Sequence, residues 1–227
     1  MSTIDKQLLA IRSQGVEIEG SLELPEDAIG VVLFAHGSGS SRFSRRNNFV
    51  AAALHEAQIG TLLLDLLTPH EDSDYQMRFD IGLLSDRLDA ACDWLGKSGV
   101  TGHLPLGLFG ASTGAAAALR VAAQRGNQIA AVVSRGGRPD LAGAQLLERV
   151  TAPSLLIVGG DDEVVLALNR HAYQLLTCIK RLDVIPGATH LFEEPGKLEA
   201  LARLAADWFR LYLPVAARTR KPTRNEC

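Results

Sequence analysis

The sequence predicts an α/β fold with a mostly parallel central sheet and helices on both of its faces. Six short runs are continuously apolar rather than alternating, as in strands buried on both sides. Between them lie longer segments whose apolar residues recur at helical spacing. The two kinds of segment alternate along the chain, so right-handed crossovers place helices on both faces of one sheet.

Taken in order, "VEIEGSLELPE" at 16–26 alternates polar and apolar residues and ends at Pro25. It predicts an antiparallel edge strand that leads by a short turn into "VVLFA" at 31–35. Phe49, Val50, Ala53, Leu54 and Ala57 then mark a helical stripe, followed by the strand-like "TLLLDLL" at 61–67. A second stripe, Ile81, Leu84, Leu88, Ala91 and Leu95, precedes "LPLGLFGA" at 104–111, and an Ala-rich helical run follows it. The remaining strands are "IAAVVS" at 129–134, "APSLLIVG" at 152–159 and "KRLDVI" at 180–185. Val165, Leu168, Ala172 and Leu175 form the stripe between the last two, and Leu198, Leu201, Leu204, Trp208 and Leu211 form the closing one.

Only residues 135–151 separate "IAAVVS" from "APSLLIVG". That is too short for a large inserted cap domain, so a site at this end should be shallow and open. No repeat or linker interrupts the pattern, which predicts a single domain over 1–217 and a basic, Pro-containing tail over 218–227.

A chain of 227 residues, 47% hydrophobic and 22% charged, can bury a substantial core and is not a disordered polymer. Its formal net charge of -3 gives no broad attraction to nucleic acid or to an acidic membrane. Cys92, Cys178 and Cys227 are odd in number and too scattered for a disulfide framework or a CxxC metal site, which fits a reducing compartment. The first twenty residues are broken by charges before any signal-peptide core, and no uncharged apolar stretch is long enough to span a bilayer. The expectation is a cytoplasmic protein.

In open α/β sheets ligands bind beyond the carboxyl ends of the strands, so the residues just after each apolar run are read first for chemistry. Gly110-Ala111-Ser112-Thr113-Gly114 matches G-x-S-x-G, in which glycines permit a sharp strand-to-helix turn that lifts a serine hydroxyl above the sheet. A serine here could instead cap a helix, but the strand before it and the helix after it are the context the motif requires. A serine hydroxyl needs a base, and the base needs an orienting group. His190 follows "RLDVI" and Asp162 follows "LLIVG", so both reach the same sheet edge as Ser112. The order Ser112, Asp162, His190 is nucleophile, acid, base. Asp161 stands beside Asp162, and either could cap the helix that begins near Glu163.

The Gly/Ser-rich loop in "HGSGSSR" at 36–42 could cradle a phosphate or supply half of an oxyanion hole; it lacks both nucleotide-binding glycine fingerprints, so the oxyanion hole is the expectation. With Ser112 as nucleophile, the backbone N–H groups of Ser38 and Thr113 are the expected donors, and His36 is expected to pin the loop. Arg42, Arg45 and Arg46 cluster beside this loop, while Arg135 and Arg138 follow another strand. Of these, Arg42, Arg135 and Arg138 are candidates for binding a substrate carboxylate or phosphate; pairing with Asp140, with the acidic loop at 70–74 or with solvent is the other reading. No metal or cofactor is expected. His55-Glu56 begins a zincin-like motif, but Ile59 stands where its second histidine belongs. His70, Glu71, Asp72 and Asp74 read as a solvated acidic loop.

Together "HGSGSSR", "GASTGAAAAL", "VSRGGRPDLAG", "VGGDDEVV" and "GATHLFEEPG" resemble the dienelactone hydrolase-like branch of the α/β-hydrolase superfamily over residues 16–213. The chain is especially similar to hydrolases of this branch that occur fused to phosphoribosyltransferase-like domains. The resemblance implies the α/β-hydrolase fold with Ser112 as nucleophile, Asp162 as acid and His190 as base. It prefers Asp162 because Gly159 to Val165 fits the family's G-x-x-D-x-x-V at that residue. Dienelactone hydrolases proper carry cysteine at the elbow, so serine here favours ordinary esters or thioesters. The expected function is cleavage of a small-molecule ester, lactone or thioester through an acyl-enzyme on Ser112. An acyltransferase or thioesterase with the same triad, and a non-catalytic ligand-binding protein, are the alternatives. Nothing in the sequence specifies an oligomeric state.

Overall fold

The computed structural model describes residues 3–220. Its centre is one eight-stranded sheet in the order β1-β2-β4-β3-β5-β6-β7-β8. The strands are β1 (Ile4–Ser13), β2 (Val16–Pro25), β3 (Val31–Ala35), β4 (Gly60–Leu64), β5 (Leu106–Ala111), β6 (Ile129–Arg135), β7 (Ser154–Gly159) and β8 (Lys180–Ile185). β3 to β8 run parallel to one another, while β2 is antiparallel to both β1 and β4. β3 to β7 are buried along their full length, which explains their continuous apolarity: both faces are covered.

The covering helices are α1 (Arg45–Glu56), α2 (Pro69–Asp72), α3 (Ile81–Lys97), α4 (Thr113–Arg125), α5 (Ala144–Leu147), α6 (Glu163–Leu175) and α7 (Lys197–Arg220). One face of the sheet packs against α3, α4 and α6, where Leu84, Leu88, Leu119 and Ala172 meet Leu33, Leu108, Val132 and Leu156. The other packs against α1 and α7, where Val50, Leu54, Leu201 and Phe209 meet Val32, Phe34, Phe109 and Val133. Alternate residues of each strand therefore serve different cores. The Ala115–Ala118 run lets α4 lie close to the sheet, with all four alanines fully buried.

Three expectations need correction. The strand at 16–26 is not an edge, because β1 pairs with it through the full register from Ile4↔Pro25 to Ser13↔Val16. The hairpin closes on Gln14-Gly15, both at positive φ (49° and 82°), as a two-residue turn that matches the twist of its strands requires. β1 escapes a pattern reading because most of it is exposed, Leu8 included, and its few buried residues lie near the turn. Secondly, "TLLLDLL" is a strand only to Leu64, and β5 and β7 begin two residues later than their apolar runs. Thirdly, the acidic segment at 70–74 is not simply solvated. It forms α2, whose N-cap Thr68 and Glu71 bond reciprocally, and Glu71 also pairs at 2.8 Å with the fully buried Arg87.

Residues 136–153 hold only a single 3-10 turn at Pro139–Ala142 and the one-turn α5, so no cap domain covers the carboxyl edge. α7 continues to Arg220, making 218–220 of the expected tail helical, and 221–227 lie outside the described residues.

Candidate active site

The carboxyl edge of the sheet brings together the ends of β3, β5, β6, β7 and β8. Ser112 joins β5 to α4 at φ 51° and ψ −119°, a conformation that L-residues rarely adopt and that is costly unless the surroundings hold it. It is held because Gly110 and Gly114 let backbones meet. A Cβ on Gly110 would strike the Ala115 backbone, and one on Gly114 would strike the carbonyl oxygens of Ala35 and His36. Ser112 stands at the N-cap position of α4, yet its side chain makes no capping hydrogen bond. Its hydroxyl is thus not used as a helix cap, and the positive end of the α4 dipole lies directly behind it.

Asp162 closes the turn after β7 at the N-cap of α6 and likewise makes no capping bond. Its Oδ2 instead lies 2.6 Å from His190 Nδ1, with Asp162 largely buried and His190 half-buried. Asp161, the alternative, is exposed. The His190 turn is fixed locally: Glu194 Oε1 accepts from both the N–H and the hydroxyl of Thr189, at 3.2 and 2.5 Å. The Thr189 hydrogen bond holds the Glu194 carboxyl below its usual range.

Ser112 and His190 are linked through the end of β6. The Ser112 N–H donates to the Arg135 carbonyl at 3.1 Å, and a Cβ on Gly136 would lie 3.4 Å from Cε1 and Nδ1 of the His190 ring. Gly136, at φ 50°, is one residue that the sequence reading passed over. The "RGG" immediately after an apolar run was the available signal.

The loop after β3 closes the other side. A Cβ on Gly37 would lie 2.9 Å from the Ser112 Cβ. His36 is buried and anchors this loop, its Nε2 accepting from the Leu66 N–H at 3.0 Å and its Nδ1 lying 2.9 Å from the Gly37 carbonyl. Burial pushes its pKa down, so the neutral ring with the proton on Nδ1 satisfies both contacts. The Ser38 N–H donates to Thr113 Oγ1 at 3.0 Å. The Thr113 N–H, first in α4, has no intrahelical acceptor. Of the two expected oxyanion donors, one is therefore held by a side chain of this site and the other opens a helix.

The arginines separate. Arg42 is taken by Asp65, through both its backbone and its guanidinium, and by Glu19. Arg138 forms a fork on Asp140 at 2.9 and 2.7 Å. Arg135 differs: it is only 6% exposed, and among the described residues it makes no ion pair and its one side-chain hydrogen bond goes to Asn47 Oδ1 at 3.3 Å. Burial, with Arg46 nearby, pushes its pKa down to about 10.

Elsewhere, His55 Nε2 bonds Thr61 Oγ1 at 2.8 Å inside the fold, and no group of His, Cys, Asp and Glu able to hold a metal occurs among the described residues. A cavity of about 580 Å³ lies at the opposite end of the sheet beside Cys92, Lys97 and Gln128. Burial pushes the Cys92 thiol up to about 12, which makes it unreactive. Among the described residues no helix is long and apolar enough to cross a membrane.

No protein-family model matches the chain. A solved structure of a dienelactone hydrolase from Anabaena variabilis is 52% identical, covers 92% of this chain and 99% of its own, and superposes with a TM-score of 0.90. The structure of Est1E from Butyrivibrio proteoclasticus is similar in fold, with a TM-score of 0.77 over 89% of this chain and 97% of its own at 16% identity. Two curated Mycobacterium tuberculosis sequences, each named "Putative phosphoribosyl transferase", are 56% identical over 194 residues. That match covers 86% of this chain, which spans only 44% of those relatives' length.

Proposed function

Because this chain belongs to the dienelactone hydrolase-like family of α/β-hydrolases, we propose that it is a serine hydrolase whose reaction passes through an acyl-enzyme on Ser112. His190 takes the Ser112 proton as the hydroxyl oxygen attacks an ester carbonyl, and Asp162 holds the ring in the required tautomer and stabilises the imidazolium. The C–O bond to the leaving alcohol then breaks, with His190 returning the proton to that alcohol. Water, deprotonated by the same histidine, cleaves the acyl-enzyme and restores Ser112.

The developing oxyanion is received by the Thr113 N–H and by the Ser38 N–H, which must share or release its bond to Thr113 Oγ1. Donors fixed in this way are typically worth about 10²–10³ in rate each. The substrate is a small-molecule ester, lactone or thioester, consistent with an edge that no cap encloses. A cytoplasmic, reducing setting suits Cys92 and Cys178, both free thiols.

The observation that carries this reading is that the Asp162 carboxylate serves His190 rather than its own helix, on the side of the sheet where Ser112 is held at positive φ. Rapid mixing with 4-nitrophenyl acetate tests it. A burst of one 4-nitrophenolate per enzyme, absent from Ser112→Ala, is expected. A linear trace that survives the substitution would mean that hydrolysis does not use this serine.

A further inference from the structure

Along β6 the residues facing α1 and α7 are Ala131, Val133 and, at the carboxyl end, Arg135. The in-register neighbours of Arg135 are Ala111 on β5 and Ile157 on β7, both buried and apolar. A cation in such surroundings needs a counter-charge or strong hydrogen bonds to offset its lost hydration. Among the described residues it has neither, only the neutral Asn47 carboxamide at 3.3 Å.

The charged side chain whose field acts on it is another cation, Arg46, on the first turn of α1. Arg46 pairs with Glu193 of the His190 loop at 2.5 Å, while its Nε is buried without a partner. Among the described residues Glu193 pairs with Arg46 and no carboxylate pairs with Arg135, and the N-terminus of the twelve-residue α1 adds further positive potential. The chain leaves this corner short of negative charge. It adjoins the candidate nucleophile, because the Arg135 carbonyl accepts the Ser112 N–H and the next residue, Gly136, lies against the His190 ring.

We propose that Arg135, with Arg46, binds an anionic group of the substrate, a carboxylate or a phosphate, beside the reacting carbonyl. This rests on the reading of Ser112 as the reacting centre, and it narrows the substrate class from esters in general to anionic esters. Guanidinium is suited to this because its planar fork meets two oxygens at once and keeps its charge when buried. Arg42 and Arg138 are not equivalent, since each already has its carboxylates.

Two measurements test the proposal. The first follows thermal unfolding of Ser112→Ala protein with succinate or inorganic phosphate, against potassium chloride at equal ionic strength. It reads anion binding whether or not Ser112 is a nucleophile. Stabilisation by either anion, lost on adding Arg135→Gln, is expected, and which anion acts identifies the group; no stabilisation, or stabilisation that Arg135→Gln keeps, overturns the site. The second compares kcat/KM for the mono-4-nitrophenyl ester of succinate and for 4-nitrophenyl butyrate, with the 4-nitrophenyl ester of 3-phosphonopropionate as the phosphate-like arm. Arg135→Gln should lower the anionic-to-neutral ratio of at least one arm by roughly 10- to 100-fold, and Arg135→Lys, which keeps the charge but not the fork, by less. Ratios unchanged in both arms contradict the proposal. Anion binding without any ester turnover would leave the site standing and overturn the hydrolase reading instead.

Discussion

Asp162 sits where a helix-capping aspartate would sit, at the start of α6, and gives its carboxylate to His190 Nδ1 at 2.6 Å instead. The first turn of α6 forgoes a cap that is typically worth about 1 kcal/mol. Asp162→Asn should therefore change stability little and activity greatly, by as much as about 10⁴ in kcat where the wrong histidine tautomer results. Asp161→Asn, on an exposed side chain, should stay near the wild-type rate. Steady-state kinetics and urea unfolding of both variants check this, and equal losses in the two would contradict the assignment.

The elbow makes a stability prediction. Gly114→Ala would drive a methyl into the carbonyl oxygens of Ala35 and His36, and relief requires β3 or α4 to move. A loss of about 1–3 kcal/mol or more is expected, read as a lower urea midpoint at unchanged slope. Gly96→Ala, where a Cβ meets nothing within 4 Å inside helix α3, should be neutral or stabilising.

Arg87 is 2% exposed and joins three elements, donating to the Ser13 carbonyl of β1 and to Glu71 of α2 from its place in α3. Arg87→Met strands Glu71 and should cost about 3–5 kcal/mol. Adding Glu71→Gln removes the orphaned charge and should recover part of that loss. A double variant no more stable than the single one would show that the pair contributes by packing rather than by charge.

His36 makes stability depend on pH. Burial lowers its folded pKa below the ordinary 6.5, so the unfolded chain takes up the proton first and stability falls as pH drops through 6.5. His55 is shifted the same way by burial, so both contribute in that window. His36→Gln should flatten the fall in urea midpoint between about pH 7.5 and 5 without abolishing it. A slope unchanged by the substitution would contradict the buried neutral ring.

Much of the fold was legible because β3 to β7 are buried on both faces and the helices on one, so period and continuity both carry information. β1 was not, since an exposed edge strand has no inner face to enforce alternation. The candidate trio Ser112, Asp162 and His190 rests on strand ends in the sequence, and the structure adds the contact of Asp162 with His190. The state of each arginine was beyond the sequence. Arg42, Arg135 and Arg138 look alike in a string of letters, and what separates them is whether a carboxylate comes near in space, as Glu19, Asp65 and Asp140 do for two of the three. Asn47, which meets Arg135 from across the site, carried no signal at all.

The central claim is an activated serine at the elbow, and the most direct test is intact-mass analysis after incubation with a fluorophosphonate. Wild-type protein should gain one adduct, Ser112→Ala none, and His190→Ala none on the same timescale. Folded wild-type protein that stays unlabelled, or an adduct that persists in Ser112→Ala, would contradict the account.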